Sequence, residues 1–389
     1  MKNRDFNTII YLIVVVLFAN YLSVGLQNVA SLSLIKNAAS SSTLIVLLLF
    51  TLSSLFVYIN RKYIKSKDGK FLRHLFIYIY VISVFFSIIN PFGSKITYLL
   101  IILPYILFLF MYVSCYSVND KISKILFLFI FVFLTYRYAQ EYTKVLAFSF
   151  KDYTTTNASY FVLYLFPLVL CVDNKWIKAL SFIATLIIVV SSSKRGGTIA
   201  VVLAGFIYFI TEYLLIKKKK INIGIILFGI VIAVVLVYGS KYIQDLAVFG
   251  RIQDLADDEG SGRLGIYRHT FSMISNSNIV QLFFGHGWDR VVSDSSLHFS
   301  AHNDFLEVIY DFGLLGFFLY LSLCYSLIKK SVFLIKIKSQ YAPALFVSIT
   351  LFILGSFVSH IVIYPSFMCM FTSCWGYIWG MERKKLILT

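Results

Sequence analysis

The sequence predicts an all-α integral membrane protein of about twelve transmembrane helices with one large external helical loop, on three observations. First, 59% of its 389 residues are hydrophobic and only 14% are charged, with a mean hydropathy of +0.83, whereas soluble domains carry roughly 25% charged residues. Second, apolar runs recur in windows of about 20 residues, the length that crosses about 30 Å of hydrocarbon as a helix. Barrel strands would instead alternate over about ten residues. Third, once spans are drawn through those windows, the basic residues sort to one side.

The spans fall at about 6–26, 43–60, 71–89, 96–115, 122–138, 158–172, 176–193, 197–216, 221–239, 305–328, 342–360 and 362–381. The first, from Phe6 to about Leu26, is too long for a signal-peptide core and no small-residue cleavage site follows it, so it is expected to be retained. With the N-terminus inside, 23 of the 35 basic residues lie on the cytoplasmic side, in tight loops such as 61–73, 217–220 and 329–338 and in the tail 383–385. Both termini are then cytoplasmic, and residues 1–389 form a single polytopic membrane domain. A net charge of +17 in a soluble protein would raise the question of nucleic acid. Here it serves orientation, and no nucleic-acid partner is expected. The cysteines at 115, 171, 324, 369 and 374 lie in or beside spans. They imply no disulfide framework and match no zinc pattern.

The outer face departs from this pattern. Of the 12 outside basic residues, 6 are Arg (Arg137, Arg195, Arg251, Arg263, Arg268 and Arg290), against 4 of the 23 inside. Topology accepts either cation, but planar bidentate binding of phosphate favours Arg. The longest connection, 240–304 between the ninth and tenth spans, is a long loop in a chain of short ones and reads as functional. Its "RLGIYRHTFSMI" and "IVQLFFGHGWDRVV" stretches predict a folded cap of short helices. The Tyr-rich segment 137–157 reads equally as a saccharide groove or as an interfacial aromatic belt.

Three external stretches carry candidate chemistry. In "SSSKRGG", 191–197, Lys194 and Arg195 oppose the inside bias, and two glycines allow close approach of whatever the Arg binds. Snorkelling of an interfacial Arg to lipid phosphate is the plainer alternative. In "GSGRLGIYRH", 260–269, Arg263 opens a predicted helix and shares a face with Tyr267, whereas Arg268 reads as an anion contact or a solvated face. In "SAHNDFLEVIYDFGLLG", 300–316, a helix starting near Ala301 puts Asn303, Glu307 and Asp311 on one stripe with Asp304 beside it. His302 points away from that stripe. Gly313 and Gly316 follow as packing residues.

Taken together, these stretches resemble the O-antigen polymerase and O-antigen ligase superfamily of bacterial polysaccharide-assembling membrane glycosyltransferases. The family's His, then Asn, Ser or Gln, nine residues and Gly-x-x-Gly is similar to His302, Asn303, residues 304–312, Gly313 and Gly316. Its Ser/Thr-Arg-Gly turn resembles Lys194-Arg195-Gly196, with Lys in place of the hydroxyl residue. Its Gly-Arg-x-x-x-Trp resembles Gly262-Arg263 with Tyr267 for Trp, and its Gly-x-Gly turn resembles the one around His286, just before Arg290. The motifs cover roughly residues 180–330.

The resemblance implies a GT-C-like architecture and action on the external side of the bacterial inner membrane. The implied donor is a glycan carried by undecaprenyl pyrophosphate, and the bilayer, a flippase and chain-length regulator proteins are implied as partners. It makes His302 the base that takes the acceptor hydroxyl's proton, and Arg195 and Arg263 the clamp on the leaving pyrophosphate. Lys194, Arg268, Asn303, Arg290, His286 and Arg137 are expected to bind substrate. With no carboxylate nucleophile evident, direct displacement would invert the anomeric centre. Asp304 and Glu307 are given the lesser role of favourable charge at a helix N-terminus. The first external loop, 27–42, has no Asp or Glu, and "ADDEGSG", 256–262, reads as a solvated turn. No metal or other cofactor is therefore expected.

The leading expectation is a repeat-unit polymerase of O-antigen or capsule. The alternative is a ligase moving the finished glycan to lipid A core. A flippase for the same lipid-linked sugar is the rival from another class. It would favour mid-membrane charges or an internal repeat, neither of which the sequence displays.

Overall fold

Long apolar segments have few ways to satisfy their backbone in lipid, and a helix, which closes every hydrogen bond within the segment, is the simplest. The structure is a computed structural model that describes residues 3–30, 39–65, 69–89, 96–148, 156–192, 194–216 and 263–388, and among these every regular element is helical. In chain order they are α1 (Asn3–Ala30), α2 (Ala39–Ile59), α3 (Lys70–Ile89), α4 (Thr97–Ser117), α5 (Asp120–Phe148), α6 (Ser159–Val169) and α7 (Lys175–Ser191). There follow α8 (Arg195–Phe209), continued by a π-helical stretch Ile210–Ile216, and the short α9 (Arg263–Ser275), α10 (Ile279–Phe284) and α11 (Arg290–Asp294). The chain closes with α12 (Asp304–Lys336), α13 (Ala342–Val358) and α14 (Pro365–Leu388).

Each expected span that falls within the described residues coincides with one of these helices. The ninth, 221–239, lies outside them, as do residues 240–262 of the large loop, with Arg251 and "ADDEGSG". Six helices among the described residues are long and apolar enough to cross a bilayer, Asp5–Val29, Lys70–Ile88, Thr97–Ser117, Asp120–Lys144, Gly196–Tyr213 and Asp304–Lys336, and Thr43–Ile59, Ser159–Val169 and Ala342–Val358 are shorter apolar helices. The pattern of exposure fits lipid. Ile77, Val81, Phe85 and Ile88 on α3, and Ile125, Phe129, Val132 and Tyr136 on α5, form exposed stripes at helical spacing. Such contiguous apolar stripes are unfavourable in water and neutral against lipid tails. The chain is a multi-pass membrane protein on this ground.

Packing within the bundle uses small residues and polar side chains. The most extensive helix pair is α4 with α14. A methyl group at Gly376 would lie 2.2 Å from the Phe108 carbonyl oxygen, and one at Gly380 2.5 Å from that of Tyr112, so this Gly-xxx-Gly pair sets the close approach. Tyr320 Oη on α12 donates to Ser356 Oγ on α13 at 2.8 Å, and Trp375 Nε1 on α14 donates to Ser348 Oγ at 2.9 Å. At the end of the bundle where α5 begins, Lys124 bridges Asp120 at 2.6 Å and Asp173 at 2.8 Å, while Tyr377 donates to Asp120. At the other end α9, α10 and α11 all pack on α12, which is the described part of the expected cap of short helices.

Candidate active site

The site is organised by a break in α12. Gly313 has φ 67° and ψ −174°, a conformation essentially restricted to glycine. The interruption leaves the preceding carbonyls without helical partners, and other segments supply them. His286 N donates to Tyr310 O at 3.1 Å and to Asp311 O at 3.0 Å, Gly287 N donates to Asp311 O at 2.8 Å, and Tyr78 Oη on α3 donates to Phe312 O at 2.9 Å. The turn from Gly285 to Gly287 therefore docks backbone to backbone. A Cβ at Gly285, where φ is +82°, would lie 2.2 Å from Asp311 O, and one at Gly313 2.4 Å from the Phe283 carbonyl. His286 is part of this brace, with its ring 4.0 Å from that of Tyr310 and Nδ1 2.9 Å from Tyr310 O. Asp311, 1% exposed, accepts the amides of Asp289 at 2.9 Å and of Arg290 and Val291 at 3.1 Å each, and so caps α11.

His302 stands just before α12 with φ 50°. The helix starts at Asp304 rather than near Ala301 because Asn303 is its N-cap, its side-chain oxygen accepting from Phe305 N at 3.0 Å and Leu306 N at 3.3 Å. That role is structural and keeps the backbone at His302 out of the helix. From α9, Tyr267 Oη donates to Phe357 O at 3.0 Å and lies 3.4 Å from His302 O. Arg263, one turn earlier on the same face, opens α9 as expected. Burial lowers the pKa of His302 below its usual 6.5, and the positive charges of Arg263 and Lys194 lower it further. A neutral imidazole at pH 7 is the form that accepts a proton.

A second histidine adjoins it. The rings of His302 and His360 are 5.4 Å apart, and Ser300 Oγ is 3.0 Å from His360 Nδ1 and 3.5 Å from His302 Nδ1. Burial, with His302 beside it, pushes His360 down to about 4. Between about pH 6.5 and 4 the unfolded chain takes up a proton at His360 that the folded chain refuses, so this contribution to stability is present above pH 6.5 and is lost as the pH falls. Thermal unfolding in detergent is expected to give a lower Tm at pH 5 than at pH 7.5, with a smaller difference in His360→Asn. An equal difference in wild type and variant would contradict the assignment.

His302, His360, Glu307, Asp289, Trp288 and Tyr364 line a cavity of about 310 Å³. Asp304, fully buried, accepts from Val362 N at 3.1 Å and so ties the turn carrying His360 to the start of α12. Glu307 is 2% exposed, and neither carboxyl oxygen has a hydrogen-bond partner among the described residues. Asp289 is accessible at the cavity rim, yet desolvation by the surrounding protein pushes its carboxyl up to about 6. The carboxylates expected only to favour a helix terminus are thus interior groups.

The charges of Arg263 and Lys194 both act on His302, and Arg195 opens α8 directly after Lys194. The glycines of that turn serve packing, with Gly197 against Val189 and Tyr160 and Gly196 against Val358. The remaining arginine candidates have these settings. Arg137 on α5 donates to Ser23 Oγ at 2.9 Å and Gln140 Oε1 at 2.6 Å, and lies 3.8 Å from Glu141. Arg290 is buried on α11 with Asp294 at 3.8 Å, and Arg268 is exposed on α9. Sequence reasoning missed His360, Ser300 and the placement of Glu307 and Asp289 in the cavity. His360 was within reach, since the connection between α13 and α14 falls at the same end of the bundle as His302.

A family model described as O-Antigen ligase matches residues 180–321. The match runs from α7 through the Lys194 turn and the short helices to the middle of α12, and supports the O-antigen ligase and polymerase superfamily over that stretch. No curated protein matches the chain.

Proposed function

We propose that the protein is a bacterial glycosyltransferase that polymerises lipid-linked repeat units, moving a glycan from undecaprenyl pyrophosphate to a hydroxyl of a new lipid-linked repeat. The observation that carries this reading is the meeting of an imidazole held neutral with the cations of Arg263 and Lys194, at one end of a bundle of apolar helices. Members of the matched family are glycosyltransferase-like enzymes acting on lipid-linked glycans.

In the reaction, the acceptor oxygen attacks the anomeric carbon and His302 takes its proton. The bond from that carbon to the phosphate oxygen breaks, its electron pair leaves with undecaprenyl pyrophosphate, and Arg263, Arg195 and Lys194 stabilise the charge that develops. Backside displacement inverts the anomeric centre, and no metal ion is required where guanidinium groups hold the pyrophosphate. The expected setting is a twelve-span, GT-C-like fold in the inner membrane, with both termini cytoplasmic and the site outside.

A second reading, transfer of the finished glycan to lipid A core, is favoured by the description of the matched family model. Purified protein incubated with undecaprenyl-pyrophosphate repeat units separates the two. A ladder of chain lengths is expected for the polymerase. Glycan appearing only on added lipid A core would establish the ligase, and movement of the lipid across a vesicle membrane without transfer would establish a flippase.

A further inference from the structure

Resting on the transferase reading above, we infer that the cavity beside His302 seats the acceptor's terminal sugar, with Glu307 and Asp289 receiving its hydroxyls, and that the donor's pyrophosphate binds outside that cavity. The division of charge around His302 carries the inference. Arg263 and Lys194 both bear on the imidazole, yet neither lines the cavity, and among the described side chains no Lys or Arg does so. The ionisable groups of its lining are Asp289, Glu307 and three histidines. A pyrophosphate placed there would be buried against Asp289 and Glu307 with no described Lys or Arg side chain to offset its charge, an arrangement whose desolvation is unfavourable.

A sugar fits the same lining. Its hydroxyls are donors, and a carboxyl group is the natural acceptor for them. Glu307 is nearly fully buried, lines the cavity and has neither oxygen satisfied among the described residues. An unsatisfied buried carboxyl is rare enough in folded proteins to call for a partner, and a bound hydroxyl supplies one. Trp288 and Tyr364 give the apolar surface against which a pyranose face packs. At about 310 Å³ the space is near the lower bound of small-molecule sites, roughly 300–1,000 Å³, which suits a sugar residue and excludes a polyprenyl tail. His302 is shared by the two environments, with the cations bearing on it and the cavity open to it. An acceptor oxygen in the cavity can then lose its proton to His302 while the leaving phosphate remains with the arginines. The same lining disfavours an acidic acceptor sugar and accepts a neutral or amino sugar.

The test uses the purified full-length chain in detergent and two probes. One is undecaprenyl pyrophosphate. The other is the repeat-unit oligosaccharide released from the producing strain's own polysaccharide. Glu307→Gln and Asp289→Asn are each expected to weaken oligosaccharide binding by about tenfold, the effect of leaving one buried hydrogen-bonding group of the sugar unsatisfied, while undecaprenyl pyrophosphate binds within twofold of wild type. Val292→Trp, which fills the cavity from its lining, should act the same way, and Arg263→Met should do the reverse. Oligosaccharide that fails to bind wild type, or binds all three cavity variants like wild type, overturns the acceptor pocket and leaves the transferase reading standing. Equal weakening of both probes by the cavity variants also overturns it. Wild type that does not bind undecaprenyl pyrophosphate removes the transferase reading, and this inference with it.

Discussion

Replacing His302 with Ala is expected to lower glycan transfer by about 10²–10⁴-fold, the usual contribution of a positioned general base. The assay is the product ladder from lipid-linked repeat units, with circular dichroism to verify that the variant keeps its helices. The pH profile adds a sign. Burial and two cations hold His302 below its ordinary value, so its basic form is already dominant at pH 7 and activity should fall only in acid. Removing one cation with Lys194→Met raises the imidazole's pKa, and the acid limb moves to higher pH. A full ladder from the His302 variant would exclude it as the base, and an unmoved limb in the Lys194 variant would exclude that lysine as its electrostatic neighbour.

The largest effect on stability is expected from Gly313→Ala. A side chain there meets both a backbone conformation that L-residues avoid and the Phe283 carbonyl at 2.4 Å, so the change should cost on the order of 3 kcal/mol or more. The damage goes beyond strain, because the turn 285–287 loses its seat and α11 loses the alignment of Asp311 with its first amides. Scanning calorimetry or a fluorescence melt in detergent should give a Tm several degrees lower, together with loss of transfer. Gly265→Ala is the control. No atom lies within 4 Å of its Cβ position on α9, and the same substitution there should be neutral or slightly stabilising. Equal melting temperatures for the two variants would refute the seat.

Much of the fold was legible because its signals are local. Hydropathy windows located the helices, although α5, α12 and α14 run seven to ten residues past the drawn ends, and helical phase alone joined Arg263 to Tyr267, whose hydroxyl reaches His302 O. In the candidate site, His302, Lys194 and Arg263 could be singled out from the sequence because each sits in a short motif. Glu307 could not. Periodicity placed it on a stripe with Asn303 and Asp311, but which way the stripe faces depends on the turn 285–287 docking across the break at Gly313, a contact between distant segments. The surroundings of Arg137 and Arg290 were hidden for the same reason. Counting outer arginines cannot reveal that Ser23, Gln140 and Asp294 already engage them.

The length of α12 also sets a height. From the break at Gly313 to Lys329, the first cation near its far end, the helix advances 16 residues, about 24 Å at 1.5 Å per residue, against about 30 Å of hydrocarbon. With Lys329 at one interface, the break at Gly313 would lie a few ångströms short of the opposite headgroups, and the residues before it would carry His302 into that layer on the proposed orientation. A polyprenyl pyrophosphate floats with its phosphates in that same headgroup layer and its tail below. On the proposed reading the donor would reach His302 by lateral diffusion, at its own resting depth, and would not have to be drawn out of the bilayer to react.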